Sequence, residues 1–335
     1  MAKIANDMNL ADGALRTALR FLSPSGAGAR LSVVLFHRVL AAPDPLFPDD
    51  IDQTCFRKIC DWLATWFTVL PLDQALRQQA DGCLPARALS ITFDDGYADN
   101  HDLAMPILRE RGLSATFFIA SGFLDGGRMW NDTVVEALRR SPKQALDLSA
   151  LGLAGLDRVD LSSAAARRQT THRLLSATKY LPLAERQQTV DHLARLSGAP
   201  LPNDLMMSTA QLRAMQAAGM QIGAHTVTHP ILARLGDQQA AEEINAGKAA
   251  LESLLQQPMT LFAYPNGKPG QDYLPRDVDL VRQAGFSAAV STAHGAWRPG
   301  RDDRFQLPRF TPWDTQRLRF GVRMARNYLA QPTRV

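Results

Sequence analysis

"ITFDDGYADN", residues 91–100, is an apolar run that stops at two adjacent carboxylates and a glycine. Asp94 and Asp95 repel each other, so the pair marks either a solvated turn or a place where a positive group sits between them and the rest of the fold. Successive strand residues point to opposite faces. The two aspartates can therefore share one site only where the strand breaks into a turn, and Gly96 supplies that break.

Outward from this stretch the chain alternates strands and helices. The β-branched run "RLSVVLFHRVL" (30–40) reads as a buried strand. "DQTCFRKICDWLATWF" has helical spacing with Thr54 as the N-cap. Then follow a short strand "TVLPL", a helix "DQALRQQA", the strand "ALSITF" (88–93), a helix "DNHDLAMPILRERG" closed by Gly112, and the strand "SATFFIA" (114–120). Further on come a helix "STAQLRAMQAAG", a strand "MQIGAH", a helix "DQQAAEEINAGKAALESLL" and a strand "MTLFAY". A helix "RDVDLVRQAG", a strand "SAAVST" and a strand near "RFQLPRF" complete the pattern. Strands alternating with helices imply parallel βαβ units, either a barrel or a doubly wound sheet. Residues from about 130 to 205 break the rhythm and read as an inserted helical subdomain. The expected organisation is an N-terminal helical segment (1–29), an α/β body (30–315) carrying that insertion, and a C-terminal helix (316–335).

A second constellation lies at "GAHTVTHP", where His225 and His229 stand four apart. The pair follows the strand "MQIGA" as Asp94 and Asp95 follow "ALSITF". In parallel α/β folds the C-terminal strand ends meet at one rim, and sites form there. Two imidazoles and one carboxylate leave an open position on zinc, as in catalytic sites. The same donor set forms the facial triad of non-haem iron oxygenases. Pro230 pushes His229 out of the α region, so the histidines belong to a turn.

"TFDDGY" (92–97) followed by "HTVTHP" (225–230) resembles the polysaccharide deacetylase family, the NodB homology domain of carbohydrate esterase family 4. The resemblance runs over roughly residues 30–125 and 205–310. It implies a distorted (β/α)7 barrel and metal-dependent removal of an acetyl group from a sugar. It also implies that Asp95, His225 and His229 are metal ligands and that Asp94 is the general base. "FAYPNGKPG" (262–270) is similar to the family's third motif, which makes the Asn266 N–H the oxyanion donor; the family's arginine is missing there. Arg309 in "LPRF" is the candidate substitute for orienting the base. "LFHRV" looks like the first strand of deacetylases acting on β-1,6-linked N-acetylglucosamine exopolysaccharide, which makes His37 the general acid; His294 is the alternative. The implied cofactor is a divalent metal, with zinc fitting the ligands and cobalt or nickel able to substitute.

These groups suit an acetamide, a poor electrophile attacked by a poor nucleophile. A divalent metal polarises the carbonyl and lowers the pKa of bound water from about 15.7 towards 7. Unperturbed values of about 3.9 for Asp and 6.5 for His bracket a window with Asp94 charged and His37 protonated, so a bell-shaped pH–rate profile is expected. A catalytically silent glycan-binding barrel and another metal-dependent C–N hydrolase are the competing readings.

The remaining features are plainer. Apolar residues make up 46% of the chain, enough for a large core, and the net charge of +4 is mild, with no basic tail to suggest nucleic acid. No run of 18 apolar residues occurs, and the first 24 residues lack the apolar core of a secretory signal. Cys55, Cys60 and Cys83 read as buried thiols, not as a disulfide or zinc clip. The expected partner is an N-acetylated glycan and the expected location the cytoplasm. Leu10, Leu15, Leu19 and Leu22, with Arg16 and Arg20, form a helix that caps the body or lies on a membrane surface. Arg317, Arg319, Arg323 and Arg326 mark a solvated helix face or contact with the inner face of the membrane. Trp130, Trp297 and Trp313 are candidate sugar-stacking residues, though core positions are the commoner fate of tryptophan.

Overall fold

The computed structural model describes residues 2–335, with side chains from residue 11 onward. Helix α1 (Ala2–Leu22) leads into strand β1 (Ser32–Phe36), helix α2 (Gln53–Trp66), the short strand β2 (Thr68–Val69) and helix α3 (Leu72–Ala80). Strand β3 (Ala88–Phe93) is followed by α4 (Met105–Glu110) and β4 (Ala115–Ile119). The insertion holds α5 (Trp130–Arg140), β5 (Ala145–Asp147), β6 (Arg158–Asp160), α6 (Ala164–Thr178) and α7 (Leu183–Ser197). The body resumes with α8 (Thr209–Ala217), β7 (Gln221–Ala224), α9 (Asp237–Leu255), β8 (Leu261–Ala263), α10 (Pro275–Gln283) and β9 (Ala288–Val290), and α11 (Arg317–Asn327) ends it.

The main sheet is parallel, in the order β1-β3-β4-β7-β8-β9, with β2 paired to the start of β3. It curls into a distorted (β/α)7 barrel. The last edge closes through an irregular segment: Leu307 bridges to Val290 of β9 and Phe310 to Val34 of β1. The strand expected near "RFQLPRF" is thus reduced to isolated bridges. Pro308 has no N–H to donate to a ladder, which fits that irregularity.

Alternation along the strands sorts the core into two faces. Phe36, Phe93, Phe117, Ile119 and Phe262 pack outward against the helices, and Phe93 stacks on Phe117 at 4.8 Å. Val33, Ala88, Phe118, Leu261, Ala263 and Val290 form the other cluster, with Leu307 and Trp297. Between Ala88 and Asp94 on that inner face lie Ser90 and Thr92, both fully buried. This small, polar lining leaves room in the barrel for a large side chain.

Several local expectations change. Asp52, not Thr54, caps α2, its carboxylate accepting from the Cys55 N–H at 2.7 Å. The helix after Asp99 opens with a π-helical turn (Asn100–Ala104) before α4. The insertion is not purely helical: its alternating leucines pair β5 with β6 as an antiparallel hairpin. Leu138, Leu146, Val159, Leu174 and Leu193 give it a buried cluster of its own. Cys60 is buried and its thiol is pushed up to about 12 by that burial, but Cys83 is exposed. In α1, Leu19 is buried and Leu15 and Leu22 pack against the core, while the side chain of Leu10 lies outside the described residues.

Candidate active site

The strands end in register, so their C-terminal residues share one rim: Phe36 is opposite Phe93, Phe93 opposite Phe117, Ile119 opposite Ala224, and Ala263 opposite Val290. The Asp94 N–H continues the ladder to the Phe36 carbonyl at 3.0 Å, setting His37 beside the aspartates. Asp95 leaves the strand at φ 80° and Gly96 at φ 90°. The break therefore begins one residue before the glycine, and Asp95 itself occupies backbone space that non-glycine residues rarely enter. Thr226 (φ 66°), His229 (φ 54°) and Asn266 (φ 59°) are also left-handed. His229 thus leaves the right-handed α region, but for the left-handed one and not the extended one that usually precedes proline. Such conformations cost energy and persist where surrounding contacts hold them.

The Nε2 atoms of His225 and His229 lie 3.4 and 3.3 Å from Asp95 Oδ1. All three residues offer donor atoms within 4.8 Å of one another. His225 Nδ1 meets the Ala263 carbonyl at 2.7 Å, which fixes that nitrogen as the donor and leaves Nε2 a free lone pair. Asp95 Oδ1 is buried and has no hydrogen-bond partner among the described residues. Ligand bonds of about 2.0–2.1 Å in a tetrahedron give ligand-to-ligand edges of about 3.3–3.4 Å. The orphaned oxygen and both distances therefore fit one small divalent cation.

Asp94 turns the other way. Arg309 Nη1 and Nη2 donate to its two oxygens, each at 2.7 Å. The guanidinium is 1% exposed, donates through Nε to the Ser291 carbonyl at 2.8 Å, reaches Thr92 Oγ1 at 3.3 Å and lies 5.9 Å over the Phe118 ring. It fills the room left by the small inner residues of β3. Burial pushes the Asp94 carboxyl up, but the Arg309 charge, then His225, the Arg309 fork and His37, carry it below the usual carboxylate range. Burial likewise raises Asp95, and His229, His225 and His37 overcome it, leaving the carboxyl well below its ordinary value. Burial pushes His229 down to about 4 against the pull of Asp95. For His225 burial acts downward too, but its contact with Asp95 and the charges of Asp94 and Asp95 win, and its value rises.

His37 sits just past β1, exposed at the mouth of a 630 Å³ cavity that it lines together with Asp94, Asp95, His225, His229 and Asn266. It is not the backbone-bonded core histidine that is the plain alternative for such a residue. Its carbonyl accepts from Asn100 Nδ2 at 2.8 Å, and the next residue, Arg38, pairs with Asp99 at 2.8 Å and covers the Tyr97 ring. The Asn266 N–H makes no hydrogen bond among the described residues, while the Asn266 carbonyl accepts from Thr292 Oγ1 at 3.0 Å. His294 is exposed and does not line the cavity, and His101, His172 and His192 lie away from it. Trp130 and Trp313 line the cavity, Trp313 being 55% exposed, whereas Trp297 is buried with its indole N–H on the Asp302 carbonyl.

Sequence reasoning missed Glu243. From α9 its carboxylate accepts the N–H groups of Val227 and Thr228, each at 2.9 Å, and the Thr228 hydroxyl at 2.7 Å. This clamps the turn between the two histidines, and Thr226 Oγ1 accepts the His229 N–H at 3.1 Å. A Cβ on Gly247, one turn further along α9, would lie 2.8 Å from the Thr226 carbonyl group, so glycine is needed for the helix to come this close. An acidic residue one helix after a HxxxH turn was the available signal, but nothing in the spacing says it points back.

Fold and site together define a class: α/β barrels with an aspartate and two histidines at the C-terminal mouth and an arginine-held carboxylate beside them. A family model described as polysaccharide deacetylase matches residues 81–152 and 177–289, more than half the chain. The chain belongs to the polysaccharide deacetylase family. It is 20% identical over 270 residues to YxkH of Bacillus subtilis (strain 168), a proposed polysaccharide deacetylase, and spans 66% of that relative's length and 80% of its own. Among solved structures it is similar to IcaB from Ammonifex degensii (20% identity, TM-score 0.56, 92% of this chain and 99% of that one). It is also similar to the Streptococcus pyogenes deacetylase PplD in complex with acetate (17% identity, TM-score 0.55, 84% of this chain and 92% of that one). At these identities the likeness establishes the fold.

Proposed function

We propose that this protein is a metal-dependent hydrolase that removes N-acetyl groups from N-acetylglucosamine-type units of a polysaccharide or lipid-linked glycan. The observation that carries the reading is the division of labour between the neighbouring aspartates: Asp95 faces two imidazole nitrogens, and Asp94 faces a buried guanidinium. Asp95, His225 and His229 would hold the cation, zinc by ligand chemistry with cobalt or nickel as substitutes. When bound, it supplies Lewis acidity and a water of lowered pKa.

The chain's own residues do the rest. Asp94, held ionised by Arg309, takes the proton from the attacking water. The arginine uses one lone pair on each carboxylate oxygen and leaves others for that water. The unpaired Asn266 N–H is the donor available to the tetrahedral oxyanion, a contact whose loss costs roughly 3–4 kcal/mol in comparable sites. His37, at the open side of the cavity, protonates the departing amine. Trp313 offers an exposed ring at the mouth on which a sugar face can lie.

The test is acetate release from N-acetylglucosamine oligomers with and without chelator, comparing wild type with Asp94→Asn and His37→Ala. Release that stops with chelator and falls in both variants is expected; release indifferent to chelator would sink the reading.

Peripheral contact with a membrane carrying a lipid-linked glycan is a second part of the proposal. Among the described residues no helix is long and apolar enough to cross a membrane. On α11, Leu318 and Val322 are exposed one turn apart, with Arg319 and Arg326 also exposed, and Phe21 at the end of the adjoining α1 is 82% exposed. Apolar side chains flanked by arginines suit an anionic interface. Flotation with anionic but not neutral vesicles, lost in Phe21→Ser/Leu318→Ser, is the expected result.

A further inference from the structure

Where α6 gives way to α7, residues 179–186 meet the turn around 231–234 and enclose a second cavity of 210 Å³. Three cations line it, Lys179, Arg186 and Arg234, together with the apolar Leu183 and Ile231. Lys179 lines this cavity and the catalytic one, so the two adjoin. Arg186 is only 6% exposed, yet its contacts are the Lys179 carbonyl at 3.3 Å and the face of Trp130 at 4.8 Å. Burial pushes its guanidinium down, and among the described residues no carboxylate opposes this. Lys179 Nζ and the Arg234 guanidinium each lie 5.3 Å from the Tyr180 ring. The acid that acts on this group is Asp272, which faces Lys179 and the Tyr180 hydroxyl and is itself fully buried, and Lys268 opposes it.

Three cations around one concavity, one of them largely buried with no anionic partner among the described residues, are unfavourable unless something negative completes them. Planar guanidinium forks suit carboxylate and phosphate oxygens. We propose that this cavity is an anion subsite of the glycan groove, taking a carboxylate or phosphate substituent carried on the sugar chain whose N-acetyl group lies at Asp95, His225 and His229. The proposal rests on the deacetylase reading and narrows it to acidic glycans.

Titration calorimetry on chelator-treated protein would compare three probes: N-acetylglucosamine hexamer, a hexasaccharide alternating N-acetylglucosamine with glucuronate, and a 6-phosphorylated N-acetylglucosamine oligomer. Wild type is expected to bind at least one acidic probe about tenfold more tightly than the neutral one, the size of one charge-assisted hydrogen bond. The preferred acidic probe identifies carboxylate or phosphate. Arg234→Gln, at an exposed position, should erase the preference and leave the neutral probe unchanged. Arg186→Gln should do the same with its melting temperature recorded as a check on folding. Equal binding of all three probes by wild type, or equal loss on neutral and acidic probes in Arg234→Gln, would overturn the subsite. Acidic preference in the calorimetry, with no acetate release from any probe by metal-supplied, chelator-free protein, would keep the subsite and reject the deacetylase reading.

Discussion

Two walls of one cavity are built differently. On the barrel side, Asp94, Asp95, His225 and His229 stand at strand ends, the first three buried and His229 half-buried. Arg309 donates to Asp94, the Ala263 carbonyl accepts from His225, and Glu243 accepts the N–H groups of the turn between the histidines. On the other side, Trp130, Asn131, Leu175, Ser176 and Lys179 come from the insertion, whose helices rest on their own core. The insertion is tied to the 40s loop by the Arg139–Asp44 pair at 2.6 Å and the Phe47–His172 contact, and to the barrel by the hydrogen bond from Tyr97 to Asp132 at 2.9 Å. Reaction chemistry needs atoms fixed to within a fraction of an ångström, so it sits on the sheet. Recognition of a polymer tolerates looser placement, and a wall attached at few points can vary without disturbing the centre.

The sharpest way to break this contrast is to remove a proposed metal ligand. Asp95→Ala should abolish bound metal, read by elemental analysis, and lower kcat/KM by about a thousandfold or more, since both the Lewis acid and its water are lost. Arg309→Met should come next. It leaves Asp94 buried without its partner, so kcat should fall by about 10²–10³ and denaturant melts should show a loss of about 3–5 kcal/mol. Glu243→Gln should weaken metal affinity by about 10–100-fold in competition titrations, the range for residues that orient ligands without touching the metal. Changes on the other wall and rim should be smaller and of another kind. Trp313→Ala should raise KM by up to about tenfold, or 1.4 kcal/mol, with kcat unchanged.

The smallest effect is a pH slope. Burial pushes Asp132 up to about 7; the Tyr97 hydroxyl, Arg38 and the Met129 N–H oppose this and the Asp95 charge adds to it. A folded value above the unfolded one means the native state holds the extra proton, so this contribution is full below about pH 4 and is lost as pH rises through 7. Melts of metal-free protein should lose stability across that window, and Asp132→Asn should flatten the slope.

What the sequence made legible follows the same division. Strand ends carrying "DD" and "HTVTH" announced the centre because short-range chemistry and turn geometry lie within a few residues. The α/β alternation and the helix at 237–255 were equally plain, since their periodicity is local. Arg309 could be proposed but not placed, because its partner is 215 residues away. The small inner residues Ser90 and Thr92 were the physical hint that something large fills the barrel. Glu243 was invisible, because a helix surface acid looks solvated until the turn it clamps is known. In the insertion, loosely alternating leucines could not distinguish a hairpin from helix, and the cationic cavity depends on contacts between α6, α7 and a barrel turn.

Barrel closure has a consequence for timing. The segment that joins β9 to β1 is also the one that brings in Arg309, so the ring and the pairing of Asp94 are completed by the same few residues. Residues 95, 225 and 229, the proposed cation cradle, all precede residue 309 in the chain and are synthesised before it. On the proposed roles, Asp94 would gain its arginine only when the final seam shuts, so a half-made molecule would collect metal before it could cut.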